Sequence, residues 1–429
     1  MKKEFSWRFA FLIGLASIGG GLLWPIFNNY VPIFLQTGHP LWEGAAENVN
    51  IIGFAIGPTM AAFIMTWDNI IHMFLVPWAG TKSDQTWTRF GRRIPWLLVG
   101  IPIAIIGFTL IPFATSVFLL ILFIMLTNIG TGIFRAPARA WLGDFFAPAD
   151  RSKAEAPIHF IIGFAAVATA LVGGALFDRG NISAPFVIGT IIVIVGTIPA
   201  LIWLKEDKDL EIEVAGSENK SNGVLELLGQ MRKIEYRSVL FAFLGTFFFH
   251  TAHGAIQAGL SGFGVFELGM TTGRIAQITG IMGLAYIILA IPSGLVANRY
   301  GTRRTMLIGM VIYFVCSVYI GLLVQSESIL LILLIIIGGA WSLIFVNSLP
   351  LLLNTDEGKN FGVFTGLYYL AFQAASIVGP LLSGGLIQLT GSQRAMWGVI
   401  GVSMLFGFFA LVRVSDRDFE EVGDVLASD

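Results

Sequence analysis

The feature that most constrains this chain is a succession of apolar runs, each long enough to cross a lipid bilayer. A helix rising ~1.5 Å per residue needs about 20 mostly apolar residues to span the hydrocarbon. Twelve such stretches are present, over residues 6–35, 51–79, 95–113, 116–142, 154–177, 184–204, 238–262, 273–297, 304–324, 327–353, 359–389 and 393–414. They are continuous rather than alternating, so they read as helices and not as barrel strands. The expected fold is all-α: a polytopic membrane protein of twelve transmembrane helices.

Composition excludes other classes. Charged residues make up 12% of the 429, about half the share of a soluble domain, so a soluble enzyme of this length has no polar skin. Mean hydropathy is +0.79, which excludes intrinsic disorder. A net charge of −1 gives no basic footprint for nucleic acid. Cys316 is the single cysteine, so no internal disulfide can form. No Gly-x-x-x-x-Gly-Lys-Ser/Thr loop occurs, so ATP hydrolysis has no site.

Basic residues set the orientation. With the N-terminus inside, 21 of the 26 Lys+Arg fall on inner segments and only Arg179, Arg274 and Arg394 on outer loops. Both termini are then cytoplasmic, in the cell membrane. The run after Met1-Lys2-Lys3-Glu4 continues through Pro25 to Leu35 without a small-residue cleavage site, and reads as an uncleaved first helix. The one long polar stretch, 205–237, has linker composition and separates an N-terminal bundle, 1–204, from a C-terminal bundle with a short tail, 238–429. Val224 to Met231 could form a short helix on the inner surface.

The halves repeat a motif. Gly80 and Asp84 precede Arg89, Gly91, Arg92 and Arg93; Gly294 and Asn298 precede Arg299, Gly301, Arg303 and Arg304. The first glycines are 214 residues apart, half the chain. Each motif falls between the second and third helix of its half. It is expected to form an inner loop in which glycine supplies the backbone angles and arginines hold carbonyls or acids.

Twelve helices in two sixes, a central inner loop and the doubled Gly-xxx-Asp/Asn…Gly motif resemble the major facilitator superfamily over essentially the whole chain. The long loop Ser83 to Trp96 is similar to that of glycoside–pentoside–hexuronide:cation symporters and the related sucrose-type proton symporters. Arg135-Ala-Pro137-Ala138-Arg139-Ala140 with Asp144, Val346-Asn347-Ser348-Leu349-Pro350 and Gly366-Leu367-Tyr368 are similar to the sucrose-type branch. The resemblance implies the major facilitator fold and secondary transport of a sugar or glycoside by alternating access. It also implies no cofactor beyond a proton gradient, with sodium as the alternative coupling ion. Where the melibiose-type branch carries two cation-binding aspartates in helix 2, this chain has His72 and Val76, which favours the proton.

Charges and polar groups kept inside membrane helices are functional candidates. Asp68 and His72, four residues apart, are read as a proton-coupling pair, modulated by Arg135. Arg135 is also placed at the substrate. Arg139 is expected to pair with Asp84 or Asp144 in an inner gate comprising both repeated motifs. Substrate contacts are expected from Trp24, Asn28 and Asn29 in helix 1, and from His250, His253 and Gln257 on one face of helix 7. Trp341, Asn347, Tyr369 and Gln373 complete the set, with rings for apolar sugar faces and amides for hydroxyls. Two histidines without a third ligand make no metal site. The expected partners are a small-molecule sugar and the bilayer, with the chain acting as a monomer. A proton-driven exporter of drugs or metabolites, a membrane enzyme and a nontransporting sensor are the competing readings.

Overall fold

The computed structural model describes residues 5–43, 51–146, 148–206, 237–354 and 361–414. Among these the chain is helical, without a strand. Twelve long helices follow one another: α1 (Trp7–Gln36), α2 (Pro58–Gln85), α3 (Ile94–Leu110), α4 (Val117–Phe145), α5 (Pro148–Asp178), α6 (Ala184–Trp203), α7 (Arg237–Gly262), α8 (Thr272–Tyr300), α9 (Thr302–Leu323), α10 (Glu327–Asn354), α11 (Phe361–Thr390) and α12 (Ala395–Val412). Eleven are long and apolar enough to cross a membrane. The other, α7, has 26 residues but carries His250, His253 and Gln257. The short helix expected at 224–231 and most of the central loop lie outside the described residues.

The largest shift from expectation is in the second span. Residues 52–57 are irregular rather than helical, and Phe54 and Ile56 donate backbone hydrogen bonds to the Phe34 and Leu35 carbonyls. Pro58 then starts the helix, where its missing N–H costs nothing. At the other end α2 runs on to Gln85, so Gly80 and Asp84 are helical and not in a loop. Gly294 and Asn298 likewise lie within α8. The left-handed backbone that requires glycine occurs later in each motif, at Gly91 (φ 99°) and Gly301 (φ 88°). Gly80 is small for a different reason: a Cβ there would sit 3.4 Å from the Ala136 Cβ of α4.

The chain forms two compact units, one of Met1–Gly57, Ile64–Ala215 and Gly264–Ile281, the other of Pro58–Phe63, Gly216–Phe263 and Met282–Asp429. In the first, α1 packs on α4, α5 and α6, and α3 on α4 and α6. In the second, α7 packs on α10, α11 and α12, and α9 on α10 and α12. Adding six to each helix number converts one set of pairings into the other, so the repeat read from two loops extends to the packing. The small segments obey the same rule. In the first unit the Asp178 carboxylate of α5 accepts from Gly273 N–H (2.8 Å) and the Thr271 hydroxyl (2.7 Å), capping the start of α8. In the second the Gln388 side chain of α11 accepts from Thr59 N–H (3.2 Å), at the start of α2. Helix N-termini leave N–H groups unpaired, and each is met by a side chain from the fifth helix of a six-helix set.

Candidate substrate, coupling and inner-gate sites

In the first unit the polar residues of α1, α2 and α4 come together. α2 is interrupted at Thr66 and resumes at Trp67, which places Asp68 in a first helical turn. Asp68 is partly exposed and accepts a hydrogen bond from the Asn69 amide at 2.8 Å. The outward stripe of this helix is marked by exposed Phe74 and Trp78. At 100° per residue Asp68 lies roughly 100° around from it, so the carboxylate is not turned to the lipid stripe.

His72 does not pair with Asp68. Its Nε2 faces α4, 3.0 Å from the Asn128 carbonyl and 3.2 Å from the Thr131 hydroxyl. A carbonyl can only accept, so Nε2 carries the hydrogen. The imidazole is buried with its edge on Trp24, ring centroids 5.5 Å apart. The expected acid–histidine pair is not formed at Nε2, which takes its partners from α4 instead.

Arg135 is within electrostatic range of both Asp68 and His72. It is exposed, yet lies roughly 120° from the α4 stripe of Phe118, Leu122 and Ile129. A cation exposed on that face is not presented to the lipid stripe, and its stem runs along Gly20 of α1, where a Cβ would be 3.5 Å away. Trp24, against His72, and Asn28, one turn on along α1, are half-buried. Asn29 is spent within its own helix, its amide donating to the Pro25 carbonyl at 2.7 Å. The sequence reading missed Asn128, which is fully buried with both ends of its carboxamide unpartnered.

In the second unit His250 and His253 of α7 do share one face, as spaced. Around His250 stand Phe345, Tyr368 and Phe372, all edge-on with centroids 4.7–5.8 Å away. Both of its ring nitrogens are buried and unpartnered. His253 takes the Gln257 amide at 3.0 Å and lies against Trp341 at 4.3 Å. The tyrosine in this cluster is Tyr368, whose hydroxyl is 3.1 Å from that of Ser348; Tyr369 is 57% exposed. Asn347 is not presented to the cluster: its amide donates to the Ser293 hydroxyl (3.2 Å) and the Leu343 carbonyl (2.9 Å), tying α10 to α8. Gln373 is half-buried on α11.

The two inner motifs do different things. In the first, Arg93 is almost sealed, its side chain 4% exposed, between Asp144 (3.0 Å), Asp84 (2.5 Å) and the Ser83 hydroxyl (2.5 Å). Burial alone would lower the Arg93 guanidinium pKa, but Asp144 and then Asp84 hold it above the usual arginine value. Arg92 also donates to Asp144, at 2.5 Å. Arg89 is exposed over the Phe90 ring.

Glu206, just after α6, closes this network from a side no motif announced. It accepts from the Arg92 and Arg93 backbone N–H groups at the start of α3, and from the Trp141 indole at 2.7 Å. A carboxylate at a helix N-terminus meets unpaired N–H groups and the positive end of the dipole. The only sequence clue is an acid placed just past a span. Gly91, required by its positive φ, also lets Glu206 in close: a Cβ there would be 2.7 Å from Glu206 Oε2 and would force that side chain to shift. Arg139 takes no part: it pairs with Glu155 of α5 at 2.8 Å, and Glu155 also meets His159 at 3.3 Å. The i+4 turn carries Arg139 toward α5, away from Asp84 and Asp144.

In the second motif Arg303 donates to the Leu411 (2.8 Å) and Val412 (2.6 Å) carbonyls, capping the end of α12. Asn298 and Arg304 are exposed, and Arg299 lies over the Tyr300 ring. An asparagine where the first motif has Asp84 brings no charge, and the arginine turns to carbonyls instead.

A sequence model described as Major Facilitator Superfamily matches residues 9–276 and again 242–425. YoaB of Bacillus subtilis (strain 168), a protein named as a candidate transporter, is 25% identical over 185 residues, 42% of this chain and 44% of that one. The match therefore spans less than half the length of that relative. Among solved structures, the nucleoside transporter NupG superposes with a TM-score of 0.70 at 11% identity, over 95% of this chain and 99% of that one. A POT family transporter in complex with 5-aminolevulinic acid gives 0.71 at 14%, over 94% and 96%. A bacterial homologue of the human lysosomal transporter Spinster gives 0.67 at 14%, over 96% and 97%. At these identities the likeness is one of fold.

Proposed function

Because the chain belongs to the major facilitator superfamily and is a multi-pass membrane transporter of small molecules, we propose that it is a proton-coupled symporter of a sugar or glycoside. It works by alternating access as a monomer in the cell membrane, with both termini in the cytoplasm. The observation that carries this reading is Asp68: a partly exposed carboxylate within a membrane span, off the lipid stripe, with Arg135 in electrostatic range. An acid in hydrocarbon is expensive to keep, and one facing away from lipid is suited to binding a proton. When Asp68 takes a proton, Arg135 loses its counter-charge and becomes available to substrate oxygens. Substrate held by Arg135 in turn favours the protonated acid, and this linkage is reciprocal. His72, fixed to α4, lies against Trp24.

The aromatic stack of His253, Trp341 and the partly buried Tyr286 supports the sugar as substrate, because a ring at the edge of such a stack offers a face for C–H groups. The inner network of Arg93, Asp84 and Asp144 acts as the cytoplasmic gate. The test is uptake of labelled disaccharides into proteoliposomes with and without an imposed pH gradient. Gradient-driven accumulation is expected for the wild type. Asp68→Asn should abolish accumulation while sparing sugar exchange at equal concentrations. Accumulation retained by Asp68→Asn would remove Asp68 from coupling, and a sodium requirement at constant pH would replace the proton.

A further inference from the structure

In the second unit Trp341, expected to contact substrate, stands inside a stack of three rings. Trp341 has the Tyr286 ring 4.2 Å from its centroid at 23° and the His253 ring 4.3 Å away at 33°. Two rings that close to one indole would meet each other if they shared a face. His253 and Tyr286 make no ring contact with each other, so they lie on opposite faces and the indole is sandwiched. Trp341 thus has no free face for a sugar. The outer ring of the stack is Tyr286.

Tyr286 has the surroundings of a contact surface. It is only partly buried, and among the described residues its hydroxyl is neither sealed nor hydrogen-bonded. It does not face lipid. Leu284, Ile288, Ile291 and Leu295 form the main exposed stripe of α8, and Tyr286 falls about half a turn away from it, with Leu289 exposed between the two. It shares its face with Met282, Ser293 and Ala297, all buried. On its inner side the stack is rigid, because His253 is held by Gln257 and Trp341 is wedged between two rings. A ring so backed keeps its outer face fixed without losing side-chain entropy on binding.

We propose that Tyr286 is the stacking platform for the substrate, taking the continuous C–H face of a pyranose ring, with Trp341 as its backing. This rests on the sugar reading and names the ring as what is recognised. An aromatic face discriminates a cyclic sugar, whose C–H groups are coplanar, from an open-chain polyol with the same hydroxyls.

The test uses the full chain in proteoliposomes with labelled sucrose, lactose, maltose and melibiose. Uptake of the best of these is competed with methyl pyranosides and with the hexitols galactitol and sorbitol. The wild type should prefer the pyranosides. Tyr286→Leu should raise KM about tenfold at unchanged maximal rate and erase that preference. Tyr286→Phe and Tyr286→Trp should keep both. If Tyr286→Leu keeps the ring preference, whatever its rate, the platform is elsewhere; if Tyr286→Phe loses as much as Tyr286→Leu, the hydroxyl and not the ring is read. A wild type that accumulates none of the four sugars removes the sugar reading and this inference together. A wild type that accumulates one of the four while Tyr286→Leu keeps the same KM and ring preference removes the inference alone.

Discussion

Removing the Glu206 carboxylate should destabilise the first unit out of proportion to its position at the edge of a polar linker. In Glu206→Ala three donors lose their acceptor: the Arg92 and Arg93 backbone N–H groups and the Trp141 indole. An unsatisfied buried donor costs about 1–3 kcal/mol. Trp141 is 0% exposed and Arg93 3%, so neither recovers a partner from water; Arg92 is part-buried and does so in part. The loss is therefore about 3 kcal/mol, which for a unit of this size moves the midpoint of thermal unfolding down by roughly 6–12 °C. The assay is helical circular dichroism of the detergent-solubilised chain, run as a double-mutant cycle with Trp141→Phe. The Trp141–Glu206 pair, a hydrogen bond to a charged group, should show a coupling of about 1.5 kcal/mol. Glu206→Gln, which keeps an acceptor oxygen but no charge, should fall between. A midpoint for Glu206→Ala within about 1 °C of wild type, or strictly additive effects in the cycle, would refute the reasoning.

Two matched comparisons probe the rest of the first unit by the same thermal assay. Asp144→Asn should cost about 2–3 kcal/mol, because it strips a partner from the sealed Arg93, while Asp84→Asn should cost under about 1 kcal/mol, since Asp84 is 58% exposed; equal costs would contradict the ranking. Gly130→Ala should destabilise by about 1–3 kcal/mol, because its Cβ would sit 2.2 Å from the Ala104 backbone nitrogen of α3, which cannot move aside. Gly283→Ala in α8 meets nothing within 4 Å and should be neutral or stabilising by up to about 1 kcal/mol; a destabilisation there would mean that the surroundings of Gly283 are misjudged.

Hydropathy determined the fold class and the helix number, because bilayer thickness fixes span length and hydrocarbon admits no unpaired backbone, and the recurring glycine–arginine motif revealed the duplicated order. Spacing along one helix also placed His250 and His253 on a common face. What it could not decide was which of several possible partners a side chain meets. His72 chose an α4 carbonyl over Asp68, Arg139 chose Glu155 over the gate, and Asn347 chose Ser293 over the cluster. Tyr368 and not Tyr369 stands against His250, and Trp341 has rings on it from two other helices, because rotation about a helix axis and the stacking of rings are set between helices. Glu206 is the extreme case, an acid in a stretch of linker composition that gains its role only where α3, α4 and the end of α6 converge. Periodicity is local and survives in sequence; the choice among competing hydrogen-bond and ring partners depends on distances between helices, and only the tertiary structure sets those.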